Sequence, residues 1–226
     1  MAKLILLRHL KSQWNLENRF TGWVDVSLCK EGIKKAKRVS KKIFKNKIDL
    51  VYTSPLIRNT DTLLEILKYQ NKKYPIFSHL DEGKMKKWGN FTELHKNYLP
   101  VYISERLNER YYGKLQGRNK KETIKKYGKE KVHLWRRGFN FGPPGGEKLK
   151  DVLLRLLPFY KRYIEGDLKE GKNVLIVASH NPLRALIKLL EKISDENVVG
   201  LEVPYAGIRE YNFGKSLKLK NKKTIL

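Results

Sequence analysis

Two histidines near opposite ends of this 226-residue chain each follow an apolar run. Leu4-Ile5-Leu6-Leu7 leads into Arg8-His9, and Asn173-Val174-Leu175-Ile176-Val177-Ala178 leads into Ser179-His180. A neutral imidazole attacks phosphorus at neutral pH and is displaced again readily. A guanidinium beside it suits a phosphate oxygen pair. If the two runs are neighbouring strands, both imidazoles face one crevice. One then acts as nucleophile, and the other donates to the charge that develops on the phosphoryl oxygens. Arg58, beyond the Thr53-Ser54-Pro55 turn, offers a second cation, and Glu109 in Leu107-Asn108-Glu109-Arg110 offers a general acid/base. Together these residues point to phosphoryl transfer through a phosphohistidine. Each of them alone also has an ordinary structural reading, as a surface arginine or a packed histidine.

The elements that must position them alternate. Strands are expected at 3–7, 49–52 and 173–178, the last an apolar run of the kind buried on both faces of a parallel sheet. Helical spacing runs through 30–45, with Ser27 as a possible cap, and through 56–69, 119–137 with a break at Gly128, and 149–164. Pro182 suits the first position of a helix through Lys192. The segment 15–28 reads as a loop and 103–106 as an edge strand, with late strands at 201–203 and 208–213. The lysine-rich tail from Lys215 reads as frayed. The stretch from Asn71 to Pro100, with Pro75, Gly83, Gly89 and Pro100, reads as a long excursion with little regular structure. The pattern predicts a single α/β domain over 1–226, a three-layer sandwich with a mostly parallel central sheet flanked by helices.

Composition narrows the function classes. Net charge is +26, from 49 Lys and Arg against 23 Asp and Glu. That balance favours small anionic substrates. The lysines are spread over nearly every segment, and no aromatic-interleaved basic stripe or nucleic-acid motif stands out, so no specific nucleic acid is expected. One cysteine, Cys29, excludes an internal disulfide. No apolar run is long enough to span a bilayer, and Arg8 cuts the first run too short for a signal peptide, so a cytoplasmic protein with no membrane partner is expected. His79, His95 and His133 lack metal-site spacing, and there is no Gly-rich nucleotide motif, so neither metal nor nucleotide is expected.

Longer runs carry a resemblance. Leu7-Arg8-His9, Ser12-Gln13-Trp14-Asn15, Asn18-Arg19-Phe20-Thr21-Gly22-Trp23, Tyr52-Thr53-Ser54-Pro55-Leu56 with Arg58 and Thr62, the run Arg106 to Gly117, Asn119-Lys120, Trp135-Arg136-Arg137 and Leu183-Arg184-Ala185-Leu186 resemble the histidine phosphatase superfamily. Within it they resemble the cofactor-dependent phosphoglycerate mutases. The resemblance spans nearly the whole chain apart from 71–100, which reads as an insertion, and a shortened stretch at 141–147. It implies an isomerase of glycolysis and gluconeogenesis that interconverts 3- and 2-phosphoglycerate, with 2,3-bisphosphoglycerate as the phosphoryl donor that primes His9. It implies Glu109 as proton donor and acceptor, and His180 as a second histidine that stabilises the phosphoryl group. Arg8, Asn15 and Arg58 would surround that phosphate, with Asn181 beside His180 in the binding set. Thr21 and Gly22 would contact substrate, and Tyr112, Lys120, Arg136 and Arg137 would hold the carboxylate and distal phosphate.

Two departures stand against the family pattern. Leu10 replaces a glycine after the nucleophile, where a side chain is expected to crowd the phosphate or strain the backbone. Lys11 replaces a glutamate and is expected at the mouth of the site. Counted back from Leu183, the family histidine falls on Ser179, and a one-residue gap returns it to His180. Side chains alternate faces along a strand, so that slip decides whether a second imidazole reaches the site. Alternatives stay open from sequence: a phosphatase of the same fold, or a mutase-like anion-binding protein without chemistry. A homo-oligomer is equally open.

Overall fold

The computed structural model describes residues 2–70, 73–89, 91 and 93–225. Asn71, Lys72, Asn90 and Thr92, part of the expected 71–100 excursion, lie outside the described residues. The strands are β1 (Ala2–Arg8), β2 (Leu50–Thr53), β3 (Tyr74–His79), β4 (Tyr98–Ile103), β5 (Asn173–Ala178), β6 (Ile208–Phe213) and β7 (Leu219–Ile225). The helices are α1 (Gln13–Leu16), α2 (Lys30–Ile33), α3 (Ala36–Ile43), α4 (Ile57–Leu67), α5 (Lys84–Trp88), α6 (Lys120–Tyr127), α7 (Lys129–Arg137), α8 (Leu149–Phe159), α9 (Glu165–Lys169) and α10 (His180–Glu191).

The strands form one sheet in the order β3-β4-β2-β5-β1-β6-β7. The pairs from β3 across to β1 are parallel, and β6 and β7 add antiparallel at the far edge. Alternate residues of the central strands face opposite layers, as the two-residue period requires. Leu4, Leu6, Tyr52, Val174 and Ile176 pack with Leu156, Phe159 and Leu186 of α8 and α10. Ile5, Leu7, Val51, Leu175 and Val177 pack with Val39, Ile43, Leu63 and Ile66 of α3 and α4. This is the expected three-layer sandwich. Among the described residues no helix is long and apolar enough to cross a membrane.

Register brings the chemistry together. Arg8 pairs with Ala178, and Thr53 pairs with both Val177 and Ile103. The carboxyl ends of β1, β5, β2 and β4 therefore lie side by side. The chain leaves them at His9, Ser179, Ser54 and Ser104, and ligand crevices of open α/β sheets form at that edge.

Several local expectations are corrected. The 71–100 excursion contributes β3, α5 and the start of β4. Its prolines hid the strands. Pro75 lies on the edge strand β3, and Pro100 lies just before Val101, where pairing of β4 to β2 begins, so neither missing N–H interrupts the inner ladder. The expected edge strand at 103–106 is the end of the interior strand β4, followed by a 3-10 turn at Glu105–Leu107. The lysine-rich tail is not frayed, because β7 pairs with β6 and turns its lysines to solvent. The span 30–45 is divided into α2 and α3, and Cys29 rather than Ser27 precedes α2. Leu201-Glu202-Val203 forms no strand. The carbonyls of Leu201 and Val203 accept from Arg184 and Arg8, which takes them out of any ladder. Pro182 occupies the third position of α10, still within the first turn, where the N–H has no helical partner to lose.

Leu10 crowds nothing. It is fully buried among Ile5, Leu7 and Ala36, on the far side of the chain from the cleft, and its φ is not positive. Its N–H donates to Thr62 Oγ1 at 2.9 Å. Lys11 pairs with Glu31 at 3.1 Å and lies off the cleft lining. Leu10→Ala is therefore expected to cost about 2–4 kcal/mol of stability, as for other buried leucines. Urea unfolding measures this, and a loss below about 1 kcal/mol would show that Leu10 is not a core residue.

Candidate active site

A cleft of about 140 Å³ opens at the carboxyl edge of the sheet. Its lining includes Arg8, His9, Asn15, Thr21, Gly22, Arg58, Glu109, Tyr112, Lys120, Arg136, Arg137 and His180. Every expected site residue except Asn181 is thus in its wall. Asn181 lies one layer behind and donates through Nδ2 to Glu109 at 2.7 Å.

His9 is set for attack through Nε2. Its Nδ1 lies 2.6 Å from the Leu10 carbonyl, an acceptor only, which assigns the proton to Nδ1 and leaves the Nε2 lone pair free. Burial, then Arg58 and Arg8, hold its pKa well below the ordinary histidine value, so the ring is neutral. Arg58 is buried on α4 and bonds the carbonyls of Gly22 and Val24 at 2.6 and 3.0 Å. Those bonds fix the loop that carries Thr21 and Gly22. Gly22 has φ +59°, where a side chain is strained, and a Cβ there would also push against the side chain of Gln116.

Glu109 is the most tightly held acid in the cleft. Its carboxylate accepts from the N–H groups of Arg110, His180 and Asn181 at 2.7, 3.1 and 3.2 Å, besides the Asn181 side chain. Two of these donors are the opening residues of α10, where the helix dipole favours a negative charge. Burial alone would raise the carboxyl. The His180 ring, the Arg110 N–H, the Asn181 amide and Arg58 outweigh it and hold the pKa below the ordinary value. The backbone carbonyl of Glu109 is pinned by Trp23 Nε1 at 2.6 Å and Arg155 Nη2 at 3.0 Å.

The register question at the second histidine has a plain answer. Ser179 caps α10 without lining the cleft, and its Oγ accepts from Asn59 at 3.3 Å. His180, the first residue of α10, lines the cleft together with His9. Burial and Arg8 push it down to about 3, against opposing pulls from Glu202 and Glu109.

A second group of cations in the lining comes from the α6–α7 hairpin. Phe20, Leu115, Val132 and Trp135 form a small separate core that seats this hairpin over the 18–23 loop. It presents Lys120, Arg136 and Arg137, and Tyr112 lines the same cleft. Lys120 is pushed down to about 8 by burial, Arg136 and Arg8, a measure of the positive potential the wall carries. Arg8 Nε, Thr21 Oγ1 and His180 Nε2 are buried and find no hydrogen-bond partner among the described residues. Unmatched donors facing a positive cleft fit a multiply charged phosphate ester. No cluster of His, Cys, Asp and Glu among the described residues suits a metal ion.

Sequence reasoning missed several contributors. Arg19, Glu202 and Tyr205 also line the cleft. Arg110 and Arg184 are buried behind it and hold the carbonyls of Arg136 and Arg137 at 2.6 and 2.8 Å. Their only signal was their presence in the quoted runs. Tyr205 stacks on the Arg8 guanidinium at 3.8 Å, and nothing in a coil segment marks it.

Comparison with known proteins agrees with this geometry. The chain matches the histidine phosphatase superfamily (branch 1) over residues 4–98 and 91–219. It is 46% identical over 220 residues to the 2,3-bisphosphoglycerate-dependent phosphoglycerate mutase of Methanococcus vannielii, covering 96% of this chain and 94% of that one. To the protein of the same name from Pseudoalteromonas atlantica it is 38% identical over the full length of both. Among solved structures, a mycobacterial glucosyl-3-phosphoglycerate phosphatase superposes with TM-score 0.74 at 21% identity, over 98% of this chain and 97% of that one. Bacillus stearothermophilus YhfR superposes with TM-score 0.75 at 21% identity, over 97% and 95%. These structures share the fold.

Two buried neutral imidazoles make the fold acid-sensitive. Both folded pKa values lie below the ordinary value near 6.5, so below pH 6.5 the unfolded chain binds more protons and stability falls with pH. The contribution is fully present above the unfolded pKa and is lost as pH drops towards the folded one. Each imidazole is expected to cost about 2 kcal/mol between pH 7 and 5, before the carboxylates titrate. Unfolding free energies at the two pH values test this. The drop should shrink by about half in His180→Asn, and an unchanged drop would contradict it.

Proposed function

From its membership of the histidine phosphatase superfamily, we infer that this protein is a phosphoglycerate mutase, interconverting 3- and 2-phosphoglycerate through phosphorylated His9. The observation that carries the reading is the number of cations gathered in one cleft. Beside Arg8, Arg58 and His180, which line it with the nucleophile, stand Tyr112, Lys120, Arg136 and Arg137. A phosphatase needs only the first set. A substrate that must be held at both ends while its phosphate changes position needs the second. The names of the relatives at 38–46% identity agree. The donor 2,3-bisphosphoglycerate, when bound, supplies the phosphoryl group that primes His9. Arg8, Asn15, Arg58 and His180 would hold its reacting phosphate, and Tyr112, Lys120, Arg136 and Arg137 its carboxylate and second phosphate.

In the transfer, the hydroxyl of a bound phosphoglycerate attacks the phosphohistidine. The new O–P bond forms as the Nε2–P bond breaks, and Nε2 recovers its lone pair. The hydroxyl proton passes to Glu109, which is ionised and ready to accept it. In the return step Nε2 attacks the other phosphate, that ester O–P bond breaks, and Glu109 gives its proton to the released oxygen. The cations around the phosphoryl group offset the charge on its equatorial oxygens, and their positions are set in advance. We place the reaction in the cytoplasm, in glycolysis and gluconeogenesis.

With 2,3-bisphosphoglycerate as primer, purified protein is expected to convert 3- to 2-phosphoglycerate and to carry acid-labile phosphate. His9→Ala should lose both, and Glu109→Gln should slow turnover by about 10²–10⁴-fold. Phosphorus NMR reads both outcomes. Release of inorganic phosphate without 2-phosphoglycerate would replace the mutase with a phosphatase, and an active His9→Ala protein would overturn the phosphohistidine.

A further inference from the structure

Glu202 does not belong to the set that binds a phosphate ester, yet its carboxylate stands in the middle of it. It pairs with Arg137, lies 3.1 Å from His180 Nε2, and lies 3.7 Å from Arg8 Nη1. These three groups would otherwise face the ligand. We propose that Glu202 is a tethered anion that occupies these groups, two guanidiniums and a neutral imidazole, in the resting protein, and that a phosphorylated ligand binds by displacing it. This makes Glu202 a specificity-determining residue. The proposal rests on the reading of the cleft as a phosphate-ester site.

Contrast with Glu109 supports it. Glu109 is buried and tied by backbone and side-chain N–H donors, so it cannot leave. The Glu202 side chain is 50% exposed, whereas those of Arg8, His180 and Arg137 are 9, 12 and 22% exposed. It therefore has solvent to swing into while its partners stay fixed. Its carboxylate stands 3.1 Å from His180 Nε2, and the buried Nε2 has no other partner among the described residues, so that position opens to a ligand once the carboxylate leaves.

The backbone around Glu202 is anchored independently of the carboxylate. Leu201 O accepts from Arg184 at 3.1 Å, Val203 O from Arg8 at 2.6 Å, and Ala206 N donates to His9 O at 3.3 Å. The side chain can turn out with no loss of these bonds. The His180 ring and Arg137 hold Glu202 down to about 2 against its burial, so it is charged whenever the enzyme works.

The consequence is a threshold. Any ligand must replace what Glu202 gives those groups. A single small anion returns little more than a carboxylate does, while a phosphoglycerate returns a phosphate and a carboxylate, and a bisphosphoglycerate returns more. Ambient inorganic phosphate is thereby kept from filling the cleft.

The test is calorimetric titration of inorganic phosphate into wild type, Glu202→Gln and Glu202→Ala at neutral pH and low salt, with thermal melting as the control for folding. Both variants are expected to bind phosphate at least about tenfold tighter than wild type, because one unit charge has left the site. A structure of the wild-type phosphate complex should show the carboxylate turned away from Arg137 and His180. If Glu202 instead positions His180 for the ligand, removing it weakens phosphate binding, and unchanged or weaker binding in both variants overturns the proposal. The titration needs no turnover. Failure of wild type to form 2-phosphoglycerate would overturn the mutase reading and leave this comparison standing.

Discussion

The structure depends on keeping mutually repelling guanidinium groups buried together. Arg8, Arg58, Arg110 and Arg184 are all at most 8% exposed. Burying a charge is costly unless it is paired or richly hydrogen-bonded. Acids are scarce here, and backbone carbonyls do most of the work. Arg8 takes Val203, Arg58 takes Gly22 and Val24, Arg110 takes Arg136, and Arg184 takes Leu201, Arg137 and Val198. A carbonyl satisfies a donor without cancelling its charge. The arginines are therefore anchored and still strongly positive, with Arg8 Nε and Arg110 Nε and Nη1 left without a partner among the described residues.

The same bonds organise the chain. Each joins segments far apart in sequence, so one set of contacts orders the 20–24 loop, the α6–α7 hairpin and the 198–203 segment around the sheet edge. Positive potential contributes to the protonation states as well. Burial first, and then that potential, hold both histidines in the neutral form, and with the N–H donors around it the potential keeps Glu109 ionised. A neutral nucleophile beside an ionised base is the state that receives a hydroxyl group and a phosphoryl group together. Charge balance is completed by the substrate, and binding and preparation for transfer become one event.

What was legible in the sequence follows the range of the interactions. His9, Arg58, Glu109 and His180 could be found because each follows a strand end, where topology alone predicts a crevice. Lys120, Arg136 and Arg137 needed the family resemblance, since nothing in a lysine-rich helical stretch separates a ligand-facing cation from a solvated one. Glu202 and Tyr205 escaped both routes. They lie in an apolar-looking segment whose alternation imitates a strand, and only the arginine bonds to its carbonyls show why it is not one. The strands β3 and β4 were hidden by prolines that sit where the inner ladder does not need them. Strand β7 was hidden by lysines that are its solvent face.

The departures from the family pattern at the sheet edge are best understood together. A leucine after the nucleophile is harmless here because the backbone turns it into the α3–α4 layer, where it replaces backbone freedom with core burial. A serine where the family histidine aligns is harmless because the next residue already lies on the first turn of α10, and from there its ring reaches the cleft. The backbone N–H of the same residue donates to Glu109. One residue then supplies a ring to the phosphate side and a backbone donor to the base. His180 and Glu109 are thereby joined through a single peptide unit, which ties the environment of the Glu109 carboxylate to the placement of the α10 N-terminus.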